Sequence, residues 1–255
     1  MEERYSLLFY RTCWAGCLLG FAATCYFLLG LAGYVQNPVL NFSIAAAFLV
    51  AELFFLGQFA AIPRQAGRAG VAIWAAILVI LIVEFSLGAL PPTSRDELTH
   101  HLAIPKLYAQ AGRIIEVPMA PYAYYPMLLD MLYTPWIYWG LDFVPKWIHA
   151  LFAFLTGLLL YAELSRRINP IYGLLGFFFF ISTPAVLRLS HWGYIDLGIT
   201  FYTTRLCCAC CVGGKIAAPC AGWCSRRFPS VLRSPLSPMD WLPPWCWACC
   251  SPQPR

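Results

Sequence analysis

GVAIWAAILVILIVEFSLGALPPTSRDELTHHLAIPK, residues 70–106, joins two opposed chemistries in one stretch. Gly70 to Leu90 is apolar apart from Glu84 and Ser86, and about 20 such residues are what a helix needs to cross hydrocarbon. Two prolines follow, and then Arg95, Asp96, Glu97, His100, His101 and Lys106 crowd a short polar segment. Ionisable groups are expensive inside a bilayer, so a cluster at the lip of a span is either solvated or functional.

Working outward, further apolar runs occupy Cys13 to Val35, Val39 to Ala61 (with Glu52 inside it), Trp147 to Leu164 and Ile171 to Leu187, and another begins near Ile195. Of the 255 residues 60% are hydrophobic and only 11% charged, against about 25% charged in a soluble domain. The sequence therefore predicts an all-α polytopic membrane protein. Its first apolar run is too long for a cleaved leader and lacks a small-residue cleavage site, so it reads as a retained anchor. Residues 1 to 204 carry eleven Lys/Arg and eleven Asp/Glu, a neutral balance. Nucleic-acid binding needs a basic face, which this body lacks.

Arg4 and Arg11 precede the first run, Arg64 and Arg68 join the second to the third, and Arg166 and Arg167 join the two later ones. Short loops rich in Lys and Arg stay cytoplasmic. Placing all three groups inside puts Pro91 to Lys146 and His191 to Asp196 outside. Pro126 to Gly140 must then not cross; it is only fifteen residues long and contains Asp130. With Tyr133, Trp136, Tyr138 and Trp139 it reads as a helix lying at the interface. The organisation expected is three N-terminal spans (1–90), an outer loop with interfacial helices (91–146), two spans and the start of a third (147–204), and a tail (205–255).

The run SRDELTHHLAIPKLYAQAGRI (94–114), with YAYYPMLLDMLY (122–133), PKWIHALFAF (145–154) and YIDLGITFYTT (194–204), resembles bacterial membrane glycosyltransferases of the GT-C superfamily. These use polyprenyl-phosphate sugars and are similar to the protein mannosyltransferase and aminoarabinose transferase families. The resemblance covers about Pro91 to Thr204. It implies a bundle of transmembrane helices in a bacterial inner membrane, with a catalytic acid in the first long outer loop and a second acid in a later one. Asp96 and Asp196 match those positions. The implied partners are a polyprenyl-phosphate sugar donor, a lipid or envelope-glycan acceptor and the membrane lipids. The family's further spans, with their lysine- and tyrosine-containing motif, have no counterpart after Thr204.

Sugar transfer needs a base for the acceptor hydroxyl and a cation for the departing phosphate. Asp96 fits the first role, and Lys106 or Arg95 the second. The plain alternative is a helix start, since Thr93 or Ser94 with Glu97 makes a capping box. Glu97 is open between sharing the site and capping. His100 and His101 are adjacent and point to different helix faces, which suits polar contacts to donor or acceptor. His100 follows Asp96 by four, but no further Cys or His completes a metal site, and no cofactor is expected. Tyr122, Tyr124, Tyr125 and Pro126 suit either sugar stacking or interface anchoring. Asp196 reads as a supporting acid or a helix N-terminal acid. Asp130 is expected to be paired or to face a cavity, Lys146 and His149 to snorkel at a span entrance, and Glu52 and Glu84 to make packing contacts.

Nine of the twelve cysteines fall after Thr204; Cys13, Cys17 and Cys25 lie in the first run as small hydrophobes. The tail is rich in Cys, Pro, Trp and Arg, the composition of a GC-rich gene read out of frame. Cys207/Cys210, Cys208/Cys211 and Cys246/Cys249 have zinc-type spacing, but no strand or turn pattern lies between them. The tail is therefore expected to be disordered. The span begun at Ile195 meets Arg205 after ten residues and is not completed, leaving Asp196 poorly held and the chain without transferase activity. Two other classes stay open: a transporter subunit using Glu52, Glu84 and Asp130 as pathway acids, and a non-catalytic membrane scaffold. A transporter should show matched repeats and paired intramembrane charges, whereas the polar residues here gather in one loop.

Overall fold

The computed structural model describes residues 2–56, 67–125 and 127–212, and the described residues contain helices and no strands. They form α1 (Glu2–Ala32), α2 (Pro38–Leu56), α3 (Gly67–Gly88), α4 (Ala103–Ala111), α5 (Thr134–Tyr138), α6 (Val144–Arg167), α7 (Pro170–Ile181), α8 (Pro184–Ser190) and α9 (Asp196–Val212), with a π-helical turn at Glu97–His101. By internal contacts the chain divides into Met1–Tyr202 and Thr203–Arg255, and the packing described here belongs to the first unit. In the second, the described part is the continuation of α9.

Tyr5–Ala32, Gly67–Gly88 and Val144–Arg167 are long and apolar enough to cross a membrane. They differ in surroundings: 72% of the apolar window of α6 is buried in protein, against 17% of that of α3. The α6 helix is thus the core, and Val71, Val79, Ile82 and Val83 on α3 face outward. Pro145 starts α6 within its first turn, and Arg166 and Arg167 close its last turn, where both reach Glu163 and offset the helix dipole. Asn169 then caps α7 by accepting from the amides of Ile171 and Tyr172, each at 3.0 Å.

The next expected span, Ile171 to Leu187, is not one rod. The α7 and α8 helices meet at 66° across Ser182–Thr183, because Thr183 takes an extended conformation (φ −61°, ψ 128°) ahead of Pro184. Pro126 to Gly140 also departs from expectation. It folds as a 3-10 turn at Asp130–Leu132 and the five residues of α5, and Asp130, Met131, Leu132, Tyr133, Thr134, Pro135 and Ile137 are buried in protein, not laid on a surface. The break expected at Arg205 does not occur either, since α9 runs through it to Val212; arginine is itself a good helix former. Residues 57–61 of the second expected span, Arg64, Pro126 and residues 213–255, with Cys246 and Cys249, lie outside the described residues.

One end of the bundle is tied to the 91–146 segment. The turn after α1 binds the end of α4 through Val35 N to Gly112 O at 3.1 Å and Ile114 N to Gly30 O at 2.9 Å. Gln36 donates to the terminal carbonyls of Ala109 and Gln110, beside Gly112 in the left-handed conformation that ends α4 (φ 72°). The indole of Trp147 donates to Phe85 O at 3.0 Å, joining the end of α3 to the start of α6. At the opposite end Tyr5 meets Tyr161 edge-on.

Candidate functional site

Pro91 and Pro92 follow the end of α3, and the chain has no regular structure to Ser94 before Arg95 and Asp96 lead into the π turn. The wide turn is closed by Leu102 N donating to Glu97 O at 3.0 Å, five residues back; such turns concentrate at functional sites. Glu97 is completely buried. One carboxylate oxygen accepts from the amides of Thr93 (3.2 Å) and Ser94 (3.4 Å), the capping alternative raised by the sequence. The other accepts from Gly193 N at 2.9 Å and lies 3.8 Å from Lys146 Nζ. Lys146 in turn donates to Leu90 O at 2.6 Å. Ser94, instead of completing a capping box, is hydrogen-bonded through its hydroxyl to that of Tyr194. Thus the segment bearing Asp96 is fastened to the segment preceding Asp196 at two points.

A second buried cluster supports this clasp. His101 Nδ1 lies 2.8 Å from Asp130 Oδ1, while Asp130 Oδ2 has no hydrogen-bond partner among the described residues. Burial pushes the Asp130 carboxyl above its ordinary range, and the His101 hydrogen bond and charge pull it back. The Tyr133 hydroxyl donates to the Tyr194 carbonyl. Burial first, then the charges of Asp130, Asp196 and Glu97, push that phenol well above its usual range. Three acids from three segments therefore converge electrostatically on Tyr133.

Lys146 and His149 do not snorkel. Both are buried, and both reach backbone carbonyls just beyond α3 and around the end of α8. His149 Nδ1 faces the carbonyls of Leu189 (3.0 Å) and Trp192 (2.8 Å), and Nε2 faces Leu197 N at 2.9 Å. Only a ring protonated at Nδ1 and bare at Nε2 suits all three. Asp196 is thus well held, because the residue after it is pinned by His149. Glu84 goes beyond packing and pairs with His191 Nδ1 at 3.4 Å. Glu52 is buried with neither oxygen hydrogen-bonded among the described residues.

Of the residues singled out from the sequence, Asp96, Arg95, Lys106, Tyr124, Tyr125 and Asp196 are exposed. The side chains of Arg95 and Lys106 make neither hydrogen bond nor ion pair among the described residues. His100 is half-buried and stacks on Tyr122 (centroids 4.6 Å, 22°) while its Nδ1 meets Thr99 Oγ1 at 3.0 Å. Its ring also touches that of His101 at 4.1 Å, closer than adjacency on an α-helix suggested, yet the two bind different partners. Tyr125 meets Tyr122 edge-on, and Tyr124 donates to Glu116 at 2.9 Å. Tyr122 and Tyr125 thus cluster beside His100. Tyr194 was not singled out by the sequence and Tyr133 only as an interface anchor; the available signal was their place in the quoted blocks 122–133 and 194–204. Among the described residues no three metal-ligating side chains converge.

The chain matches no family model, no curated protein and no solved structure, so its own residues carry the functional argument.

Proposed function

We propose that the chain is a polytopic bacterial inner-membrane glycosyltransferase of the GT-C kind. It moves a sugar from a polyprenyl-phosphate donor to a lipid or envelope-glycan acceptor on the outer face. The observation that carries this reading is the pair of exposed carboxylates, Asp96 and Asp196, on segments fastened by Glu97–Gly193 and Ser94–Tyr194 at one end of apolar helices. Water reaches both acids while the groups beneath them are dry and nearly all engaged, which fixes their backbones. A transporter or scaffold would have no use for two solvated acids held so firmly.

In this scheme Asp96 takes the proton of the acceptor hydroxyl as its oxygen attacks the anomeric carbon. The bond to the lipid phosphate breaks, and Arg95 or Lys106 offsets the charge left there. Glu97 and Lys146 act through backbone placement, where a misplacement of about 1 Å costs about 10²-fold. On this reading transfer belongs to a chain whose reading frame is restored after codon 204.

The test is transfer of labelled sugar from polyprenyl phosphate in membranes carrying the 255-residue chain or its frame-restored form. The restored form is expected to transfer, and Asp96→Asn to lower its rate by about 10²-fold or more, the contribution of a positioned base. Near-wild-type transfer by Asp96→Asn at normal expression contradicts the assignment.

A further inference from the structure

The scheme above leaves the buried His101–Asp130 pair without a task. Its geometry is that of an oriented imidazole. Nδ1 is committed to Asp130 at 2.8 Å, and Nε2 makes no hydrogen bond among the described residues. About a tenth of the His101 side-chain surface is open, whereas that of Asp130 is closed. Protons therefore enter and leave the pair through His101. A lone carboxylate in this pocket is costly, and Asp130 Oδ2 has no other partner among the described residues to relieve it. The pair is thus most stable with one shared proton, which makes it a proton store. The groups facing it are His100 at 4.1 Å and Tyr194 at 5.1 Å between ring centroids, with Tyr108, Tyr133 and His149 within electrostatic reach. His100 feels the charges of both His101 and Asp96, so the two proton-handling groups flank it.

We infer that His101 is the general acid of the transfer reaction and Asp130 its positioning residue. This rests on the transferase reading. The acceptor O–H bond breaks and its proton passes to Asp96. The bond from acceptor oxygen to anomeric carbon forms, and the bond from that carbon to the phosphate oxygen breaks with its electron pair. That oxygen takes the Nε2 proton of His101, so the lipid phosphate leaves as a monoanion. His101 recovers a proton from solvent and exposed Asp96 returns one, leaving one proton moved from acceptor to phosphate.

The test is the pH dependence of transfer by whichever form transfers, with His101→Gln and Asp130→Asn beside it. A general acid must be protonated, so the wild-type rate should fall as pH rises through the titration of the pair. His101→Gln is expected to lose that alkaline limb and about 10²-fold in kcat at neutral pH, with KM for donor little changed. Asp130→Asn should keep the limb but move it to lower pH, because the imidazolium loses its carboxylate. The inference is overturned if His101→Gln retains the wild-type limb, whatever its rate. Should His101→Gln fail to accumulate, an unmoved limb in Asp130→Asn overturns it. Absence of transfer by either wild-type form defeats the transferase reading itself, whereas normal transfer with both limbs intact defeats only the role of His101.

Discussion

At the scale of single residues, Lys146 and His149 show what a sequence conceals. Both sit near the start of an apolar run, where long polar side chains ordinarily reach for water. Instead they turn inward to the carbonyls of Leu90, Leu189 and Trp192, which lie 40 or more residues away in the chain. Asp130 was legible as a paired acid from its apolar neighbours, but its partner His101 was not. The same limit applies to Glu97, whose third donor is Gly193. His100 gives a local prediction. Burial first, then the charge of His101, holds its imidazole below the ordinary range, with Asp96 opposing. The fold therefore favours the neutral ring, and the stability it contributes is present above the ordinary imidazole value and lost as pH falls below it. Acidification should loosen the His100–Tyr122 stack and expose the 113–125 loop. Limited proteolysis at pH 7.5 and 5.5 should show faster cleavage at the lower pH, and His100→Phe, which keeps a stacking ring without a charge, should abolish the difference. Equal pH sensitivity in that variant would place the switch elsewhere.

At the scale of elements, apolar length was a good guide where nothing tertiary competed with it. It located α1, α3 and α6, whose interiors are continuous helix. It failed at Ser182–Thr183, where the proline at 184 was the available signal, and at 126–140, where burial of Asp130 and Tyr133 matters more than amphipathicity. The α6–α7 pair illustrates a further feature that composition hides. A Cβ at Gly173 would collide with Ser165 Oγ and lie 2.7 Å from the backbone carbonyl of Tyr161, whereas one at Gly176 would meet only the end of the Leu164 side chain. Backbone cannot yield as a leucine methyl can. Gly173→Val should therefore lower stability by about 1–3 kcal/mol, and Gly176→Ala by clearly less. Thermal unfolding in detergent, followed by circular dichroism, checks the order; equal losses would mean that the close approach at Gly173 is not the constraint.

At the scale of the whole molecule, the account depends on the two ends of the Met1–Tyr202 bundle being different. Arg68, Arg166 and Arg167 mark one end, the end that the proposed topology places in the cytoplasm. The 91–146 segment and the 187–197 turns mark the other, joined by Glu97–Gly193, Ser94–Tyr194 and Glu84–His191. That grouping of loops was readable from charge, because a short acid-bearing segment at 126–140 could not cross. The fastening itself was not, since each link spans about 100 residues. The central claim is that this second end receives a lipid phosphate. Photolabelling of membranes carrying the chain with a photoreactive polyprenyl monophosphate, followed by peptide mapping, tests it most directly. The account predicts label within residues 95–106 and 188–196 that excess polyprenyl-phosphate sugar displaces. Label no stronger than that from the matching polyprenol without phosphate, or label confined to residues 67–70 and 163–170, would contradict it.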